Sequence, residues 1–328
     1  MDLANDDTLN LRRGMQSLHE RTVFPVRTRD TSNIGSTFMY RTNKTTEQSD
    51  FHRAIDIGEA DGVVGDTVVA PYPGVYDNYF YLDDAGWVLR LLHTFPEEFK
   101  FKGKRIKHFY TVYTHLNNVG TKKIICDWVK NATQIVAKQP IGIMGKSGYT
   151  QDVHLHFSVR IGTKYSLQYQ LTNNDIELWG FDPHIHPLML FEPSKSGSQA
   201  SIKLFSANSE AVVFLYESDR TQPILNRVET TIMDDERSID TYVIDLNLRL
   251  GIVPSVIEKD PEETWLDRLD LDKPHFDPQD FGYQGQKPYR TKIVVPRLWL
   301  AKEDTANTLI VRVVDIWGEA VFFEHSLV

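Results

Sequence analysis

Apolar and polar residues alternate with a period of two over many short stretches of this chain, which is typical of strands with one buried face. Between residues 51 and 161 this pattern predicts the strands Thr67–Ala70, Val88–His93, Tyr110–Leu116 and Val153–Ile161. Turn-forming residues separate them at Asp61-Gly62, Pro73-Gly74, Asp84-Ala85-Gly86 and Lys146-Ser147-Gly148. We therefore expect an antiparallel β region with few helices.

A second β region is predicted after a polar stretch that contains Glu192-Pro193-Ser194-Lys195-Ser196-Gly197-Ser198. Its strand-like runs are Ser201–Ser206, Ala211–Tyr216, Thr241–Leu250, Tyr289–Val295, Leu309–Asp315 and Glu319–His325. The run Asp315-Ile316-Trp317-Gly318-Glu319 resembles a turn of immunoglobulin-like domains, which suggests a small sandwich. We expect one long loop over Glu258–Pro288. Its aromatic residues either form a contact surface or fold back onto the sandwich: Trp265, Phe276, Phe281 and Tyr283.

Composition and charge narrow the class of protein. The 328 residues are 41% hydrophobic and 25% charged, which is ordinary for a globular chain and long enough for two domains. The formal net charge of −9 argues against nucleic acid as a partner and against docking on anionic membrane by bulk charge. No apolar run is long enough to span a membrane, and the N-terminus lacks the pattern of a signal peptide. The single Cys126 follows two isoleucines, which predicts a buried structural thiol.

Two pairs of possible metal ligands stand out. In the predicted strand Val153–Ile161, His154 and His156 have the same parity, so both imidazoles point from one face. If residues 51–57 form a strand, His52 and Asp56 likewise share a face. Two imidazoles and a carboxylate, with a fourth position left for water, are the donors of a catalytic zinc site. The spacing alone does not decide whether His154 or His156 binds the metal.

Two further histidine motifs need separate interpretations. His115 lies at the end of the predicted strand Tyr110–Leu116, where a side chain can lean over a site on neighbouring strands. A turn is predicted after this strand, at Asn117-Asn118-Val119-Gly120. The pair His184 and His186 lies between Asp182-Pro183 and Pro187, a turn context without strand alternation. We interpret that second pair as structural, or at most as a feature of the rim of a site.

The order His-x-x-x-Asp, Tyr-x-His-Leu and His-Leu-His-Phe resembles the lysostaphin/LytM-type murein endopeptidases. Gly65–Ala70 and the run Gln139–Gly148 are similar to the glycine-rich segments of that family, and the resemblance covers residues 33–190. It implies one Zn²⁺ ion and a peptide of peptidoglycan as substrate. It also implies a periplasmic, extracellular or cell-wall location. The implied ligands are His52, Asp56 and His156, and the implied catalytic pair is His115 and His154.

The chain also departs from the pattern of that family. Ala54 replaces the usual glycine between the first two ligands, and Asp152-Val153 replaces the glycine before the His-x-His pair. Met39 and Ser158 are further differences, and the insertion Phe95–Lys107 is expected to interrupt the usual β-hairpin. None of these changes removes an implied ligand or catalytic histidine. They are expected to affect the shape of the substrate groove and therefore the choice of substrate.

The predicted organisation has four segments: a lead-in at 1–32 that packs on the next domain, a LytM-type zinc peptidase domain at 33–190, a linker at 191–200 and an immunoglobulin-like β-sandwich at 201–328. The fold class is mainly β. The expected activity is zinc-dependent hydrolysis of peptide bonds by a metal-activated water. The alternative is a non-catalytic cell-wall-binding or regulatory module of the same fold. The C-terminal domain offers a surface for a protein partner or a wall polymer.

Overall fold

The fold is described from a computed structural model, which describes residues 3–26, 34–36, 38–42, 49–58, 65–129, 134–162, 183–192, 200–218, 225–247, 270–277, 289–301 and 305–327. The chain divides into two compact units. The first comprises Met1–Phe38 with Arg53–Glu192, and the second comprises Met39–His52 with Pro193–Val328. Both units are built mainly from antiparallel strands, as the alternation in the sequence predicts.

Among the described residues, the first unit contains nine strands and two helices. The helices are α1 (Leu3–Gln16) and α2 (Asn118–Val129). The strands are β1 (Ile34–Ser36), β4 (Ile55–Gly58), β5 (Thr67–Val69), β6 (Val75–Leu82), β7 (Gly86–Phe101), β8 (Lys104–Thr114), β9 (Pro140–Ile143), β10 (His154–Gly162) and β11 (His184–Ile185), together with an isolated bridge of Val26 to Val68 that extends β5. Short 3-10 helices cover His19–Arg21 and Pro187–Leu190.

A seven-stranded antiparallel sheet organises this unit, in the order β1-β4-β10-β8-β7-β6, and β11 pairs with β10. Strands β5 and β9 form a separate two-stranded sheet. Its alternate residues fill a core: Leu155 and Phe157 of β10 lie beside Ile57 and Ile55 of β4, and Tyr113 follows on β8. All five side chains are fully buried. Because strand side chains alternate between faces, this burial turns His154 and His156 of β10 to the opposite face.

The insertion Phe95–Lys107 lengthens the β-hairpin and does not interrupt it, so that expectation was wrong. Strands β7 and β8 pair up to Phe101 and Lys104, with an irregularity in register between Thr94 and Phe99. Lys102 and Gly103 both have positive φ, 46° and 73°, which is typical of a tight two-residue hairpin turn. Burial along this part of β7 is irregular, so no continuous alternation marks the strand in the sequence.

Helix α1 packs against this lengthened hairpin. Leu11 and Met15 of the helix are buried, and a Cβ added to Gly14 would lie 2.4 Å from the ring of Phe99. The backbone N–H of Lys102 donates a 2.7 Å hydrogen bond to Asp7 Oδ1. Helix α1 thus packs on the C-terminal end of β7, far along the strand from Gly86.

A chain of buried hydrogen bonds crosses the centre of the hairpin at His93. Its Nδ1–H donates to the carbonyl oxygen of Pro73 at 2.9 Å, so its Nε2 accepts from the hydroxyl of Thr111 at 2.7 Å. Thr111 in turn accepts from the hydroxyl of Tyr113 at 2.8 Å. Burial lowers the pKa of His93 from its ordinary 6.5 to about 4. A proton on Nε2 would also remove the acceptor that Thr111 needs.

We expect this histidine to make the fold acid-sensitive. The unfolded chain binds the proton near pH 6.5 and the folded chain near pH 4, so stability is complete above 6.5 and falls as the pH approaches 4. The shift corresponds to about 3 kcal/mol of unfolding free energy. Urea unfolding of metal-free protein at pH 7 and pH 4.5 measures the loss. In His93→Gln, whose amide can both donate and accept, the loss of unfolding free energy between pH 7 and pH 4.5 should be smaller by about 3 kcal/mol. An equal loss in both proteins would contradict the assignment of the acid sensitivity to His93.

The second unit contains the hairpin β2 (Met39–Thr42) and β3 (Ser49–His52) and two four-stranded sheets. Their strands are β12 (Ala200–Ala207), β13 (Ala211–Ser218), β14 (Leu225–Asp234), β15 (Arg237–Asp245), β16 (His275–Phe276), β17 (Tyr289–Pro296), β18 (Thr308–Asp315) and β19 (Ala320–Ser326), with a short helix α3 (Arg297–Leu300). The sheet orders are β12-β13-β17-β16 and β15-β14-β18-β19. The rings of Phe214 and Phe323, one from each sheet, lie 5.8 Å apart.

Six of these strands were predicted, whereas β14 and the short β16 were missed. The Asp315 turn forms as expected: Oδ1 of Asp315 accepts from the backbone N–H groups of Trp317, Gly318 and Glu319. Phe276 is buried on β16, so for this residue the interpretation that it folds back is confirmed. Trp265, Phe281 and Tyr283, with residues 193–199 of the predicted linker, lie outside the described residues. The immunoglobulin-like assignment stays a prediction.

The structure also corrects two local predictions around α2. The residues Asn117-Asn118-Val119-Gly120 do not form the predicted turn after β8, because Asn118 is the first residue of helix α2. The N–H of Gly120 donates to Asn117 Oδ1 at 3.0 Å. Cys126 is exposed and not buried. On a helix, consecutive residues point about 100° apart, so burial of Ile125 turns its neighbour outward. In the described part of the chain, no helix has the length and apolar character needed to cross a membrane.

Candidate active site

Antiparallel pairing of β4 with β10 brings two of the predicted ligands together. Asp56 lies directly opposite His156 in the register, although one hundred residues separate them in sequence. The Nδ1 atom of His156 is 2.9 Å from Oδ1 of Asp56. Both side chains remain partly exposed, at 26% for His156 and 14% for Asp56. The pair therefore lies at a surface that a ligand can reach.

His52 reaches the same place by a different route from the one that the sequence suggested. It ends β3, and β4 begins only at Ile55, so residues 51–57 do not form one continuous strand. Four residues along a continuous strand would span about 13 Å. The break at Arg53-Ala54 removes that separation. One ligand atom each from His52, Asp56 and His156 lies within 4.8 Å of the others.

His115 follows the last residue of β8 and has a positive φ of 61°. It is largely buried, and its Nδ1–H donates to the carbonyl oxygen of Ser147 at 2.8 Å. Burial, followed by the nearby His154 and His156, lowers its pKa from 6.5 to about 4. At neutral pH His115 is therefore uncharged, and its Nε2 carries the lone pair that can accept a proton.

His154 stands next to His115. Their ring centroids are 4.6 Å apart, and the ring of His115 is 6.0 Å from that of His156. The Nδ1 atom of His154 is 3.0 Å from the carbonyl oxygen of Asp152, and its Nε2 is 3.8 Å from Asp56 Oδ1. The structure thus groups His156 with the other metal-ligand candidates and puts His154 beside the histidine at the end of β8. The sequence alone left this choice open.

The donor set fits a zinc ion. Two imidazoles and one carboxylate are the ligands of many catalytic zinc sites, in which substrate or water takes the fourth position. The three donors are already close together, and two more histidines face them. Such an arrangement can hold a metal, polarise a carbonyl group and move a proton.

Residues 50–167 match the sequence profile of Peptidase family M23. The matched segment contains both pairs of ligand candidates and both histidines of the proposed catalytic pair. We refer to residues 50–167 as the M23 domain, because this segment is similar to M23 peptidases.

Solved structures similar to this chain include members of the same group of peptidases. A zinc-containing peptidase from Vibrio cholerae has 21% identity and a TM-score of 0.31, with 43% of this chain and 36% of that chain covered. The catalytic domain of the antimicrobial peptidase lysostaphin from Staphylococcus simulans has 17% identity, a TM-score of 0.32 and coverage of 48% and 92%. Complete lysostaphin has 11% identity, a TM-score of 0.31 and coverage of 93% and 90%.

This chain thus spans about a third of the length of the Vibrio cholerae protein. Because the TM-scores are low, the family assignment depends on the sequence match. None of the curated proteins compared with this chain matches it.

The second His-x-His pair has a structural place in the first unit. His184 is opposite Arg160 where β11 pairs with β10. His186 is 1% exposed, and its Nδ1 accepts the backbone N–H of Leu188 at the start of a 3-10 helix. Neither belongs to the group of possible metal ligands identified among the described residues.

The turns at Asp84-Ala85-Gly86 and Lys146-Ser147-Gly148 are predicted from the sequence, but nothing in the sequence assigns them to the site. In the M23 domain both lie against His115: its N–H donates to Ala85 O at 2.9 Å and its side chain donates to Ser147 O. The signal that could have linked them is that both turns contain glycine, which permits close backbone contacts. Which turns meet is decided by the pairing of the strands.

Proposed function

We propose that the M23 domain is a zinc-dependent endopeptidase that hydrolyses peptide bonds in the stem peptides or cross-bridges of peptidoglycan. His52, Asp56 and His156 would hold one Zn²⁺ ion, and His115 and His154 would be the catalytic residues. The observation that carries this proposal is the convergence of three donor atoms within 4.8 Å of one another beside a pair of histidines.

Zn²⁺ in such a site acts as a Lewis acid toward a peptide carbonyl and lowers the pKa of water. The residues of the chain supply the remaining requirements. His115, neutral and with Nε2 as a proton acceptor, is suited to take a proton from the attacking water. His154, 4.6 Å away between ring centroids, is suited to hold the developing oxyanion or to pass the proton to the leaving amine.

The substrate class follows from the resemblance of the three histidine motifs to murein endopeptidases. Peptidoglycan lies outside the cytoplasm, so this function requires a periplasmic, extracellular or cell-wall location. The C-terminal β unit would then offer a surface for a wall polymer or for a protein partner. The metal and its ligands are the part of the proposal that distinguishes a hydrolase from a non-catalytic binding module of the same fold.

Cleavage assays on the full chain test this proposal. We expect the protein to release new amino groups from purified peptidoglycan, to lose this activity when a chelator removes the metal, and to regain it with about one Zn²⁺ per chain. Magnesium added at the same concentration is the control, because Mg²⁺ prefers oxygen ligands. Binding to peptidoglycan without cleavage, in protein that contains zinc, would favour the non-catalytic alternative.

A further inference from the structure

One loop of the M23 domain contacts both histidines of the proposed catalytic pair. The β9–β10 loop, defined here as residues 144–153, provides the Ser147 carbonyl oxygen at 2.8 Å from Nδ1 of His115 and the Asp152 carbonyl oxygen at 3.0 Å from Nδ1 of His154. A carbonyl oxygen only accepts hydrogen bonds. Both Nδ1 atoms therefore carry hydrogen, and in the neutral form of each ring the basic nitrogen is Nε2.

The side chain of Ser147 ties this loop to the two segments beside it. Its hydroxyl donates to the carbonyl oxygen of Leu116 at 2.9 Å and accepts the backbone N–H of Trp87 at 2.9 Å. Leu116 is the residue after His115, and Trp87 lies at the start of β7. The same serine thus holds the imidazole of His115 through its carbonyl group and the backbone next to His115 through its hydroxyl group.

Close backbone packing limits how far the Ser147 carbonyl can move. Gly86 and Gly148 both have positive φ, 68° and 80°. A Cβ on Gly86 would lie 2.3 Å from the carbonyl carbon of Ser147, and a Cβ on Gly148 would lie 2.3 Å from the backbone nitrogen of Gly86. The two turns cross at these glycines with no room for a side chain.

His115 itself needs such support. A residue other than glycine with φ near +60° is strained, and this conformation persists only when its surroundings determine it. The backbone N–H of His115 donates to Ala85 O at 2.9 Å, and the N–H of Tyr149 donates to Asp84 O at 2.8 Å. The turn before β7 and the β9–β10 loop therefore hold each other, and His115 lies between them.

We infer that Ser147 is a positioning residue for catalysis: it orients His115 and selects the tautomer in which Nε2 can accept a proton. This inference rests on the proposed function, because it gives His115 the task of moving a proton. It adds a residue that lies outside the group of possible metal ligands. A purely structural role of the turn would change stability and leave both the tautomer of His115 and the rate constant of the chemical step unchanged.

Ser147→Ala, made in the full chain, removes the hydroxyl group and keeps the carbonyl group. We expect unchanged zinc content, a KM close to that of the wild type and a kcat lower by about 10- to 100-fold, since a misplacement of about 1 Å costs up to about 100-fold. Ser147→Thr retains a hydroxyl group and should restore most of kcat. Ser17→Ala is the matched control, because it also removes a serine hydroxyl that donates to a carbonyl oxygen, that of Gly14 at 2.7 Å.

Long-range proton–nitrogen NMR of the metal-free chain gives a second measurement, which needs no activity. In the wild type, His115 should carry hydrogen on Nδ1, and in Ser147→Ala the spectrum should show both tautomers. Wild-type kcat or an unchanged tautomer in Ser147→Ala would overturn the inference. So would a wild-type spectrum with hydrogen on Nε2, even if the variant does not fold. A wild-type protein that does not cleave peptidoglycan contradicts the proposed function, whereas the NMR result still decides the role of Ser147.

Discussion

Replacing Asp56 with alanine should reduce zinc binding from about one ion per chain to a small fraction of that. Asp56 is the only carboxylate among the three candidate ligands, and its Oδ1 lies 2.9 Å from the Nδ1 atom of His156. Loss of a group that merely supports a ligand typically lowers metal affinity by about 10- to 100-fold, so loss of a ligand should cost at least 100-fold. Peptidoglycan cleavage should disappear with the metal.

Competition with a chromogenic chelator measures the affinity directly, without reference to activity. Asp56→Asn separates the two contributions of the side chain, because it keeps an oxygen and removes the negative charge. Asp83→Ala is the matched control, since Asp83 is an exposed carboxylate in the turn before β7. If Asp56→Ala bound one Zn²⁺ with wild-type affinity, the proposed ligand set would be wrong.

Replacing His115 with alanine should have a different effect from Asp56→Ala: the protein should keep its zinc but lose most of its kcat. His115 is outside the group of three donor atoms, and its Nδ1 is engaged by Ser147. Removing a group that stabilises developing charge or moves a proton typically lowers kcat by about 100- to 1000-fold. Zinc content and kcat, measured on the same preparation, test both parts of the prediction.

His108→Ala is the appropriate control for His115→Ala. His108 lies on the same strand β8, is only partly buried, and its Nδ1 contacts the hydroxyl of Thr94 at 3.2 Å. Loss of zinc from His115→Ala would show that His115 is a ligand. Full activity would show that it has no part in proton transfer. The two variants Asp56→Ala and His115→Ala thus separate metal binding from the chemical step.

The alternation of residues predicted more of the local structure than of its arrangement. His154 and His156 have the same parity on β10, as expected. The end of β8 at Thr114, immediately before His115, was predicted to within two residues. Two local predictions were wrong. The hairpin continues through Phe95–Lys107, where an interruption was expected, and a helix begins at Asn118, where a turn was expected.

By itself, the sequence determined which residues can carry chemistry and which faces of their strands they occupy, because a period of two depends only on the chain's own order. Tertiary structure decided which of these faces meet. Asp56 and His156 are one hundred residues apart, and only the register of β4 with β10 puts them side by side. The break after His52 brings the third donor close, and the crossing of two glycine turns sets the ring of His115. These arrangements depend on pairing and packing between distant segments, so local patterns in the sequence do not predict them.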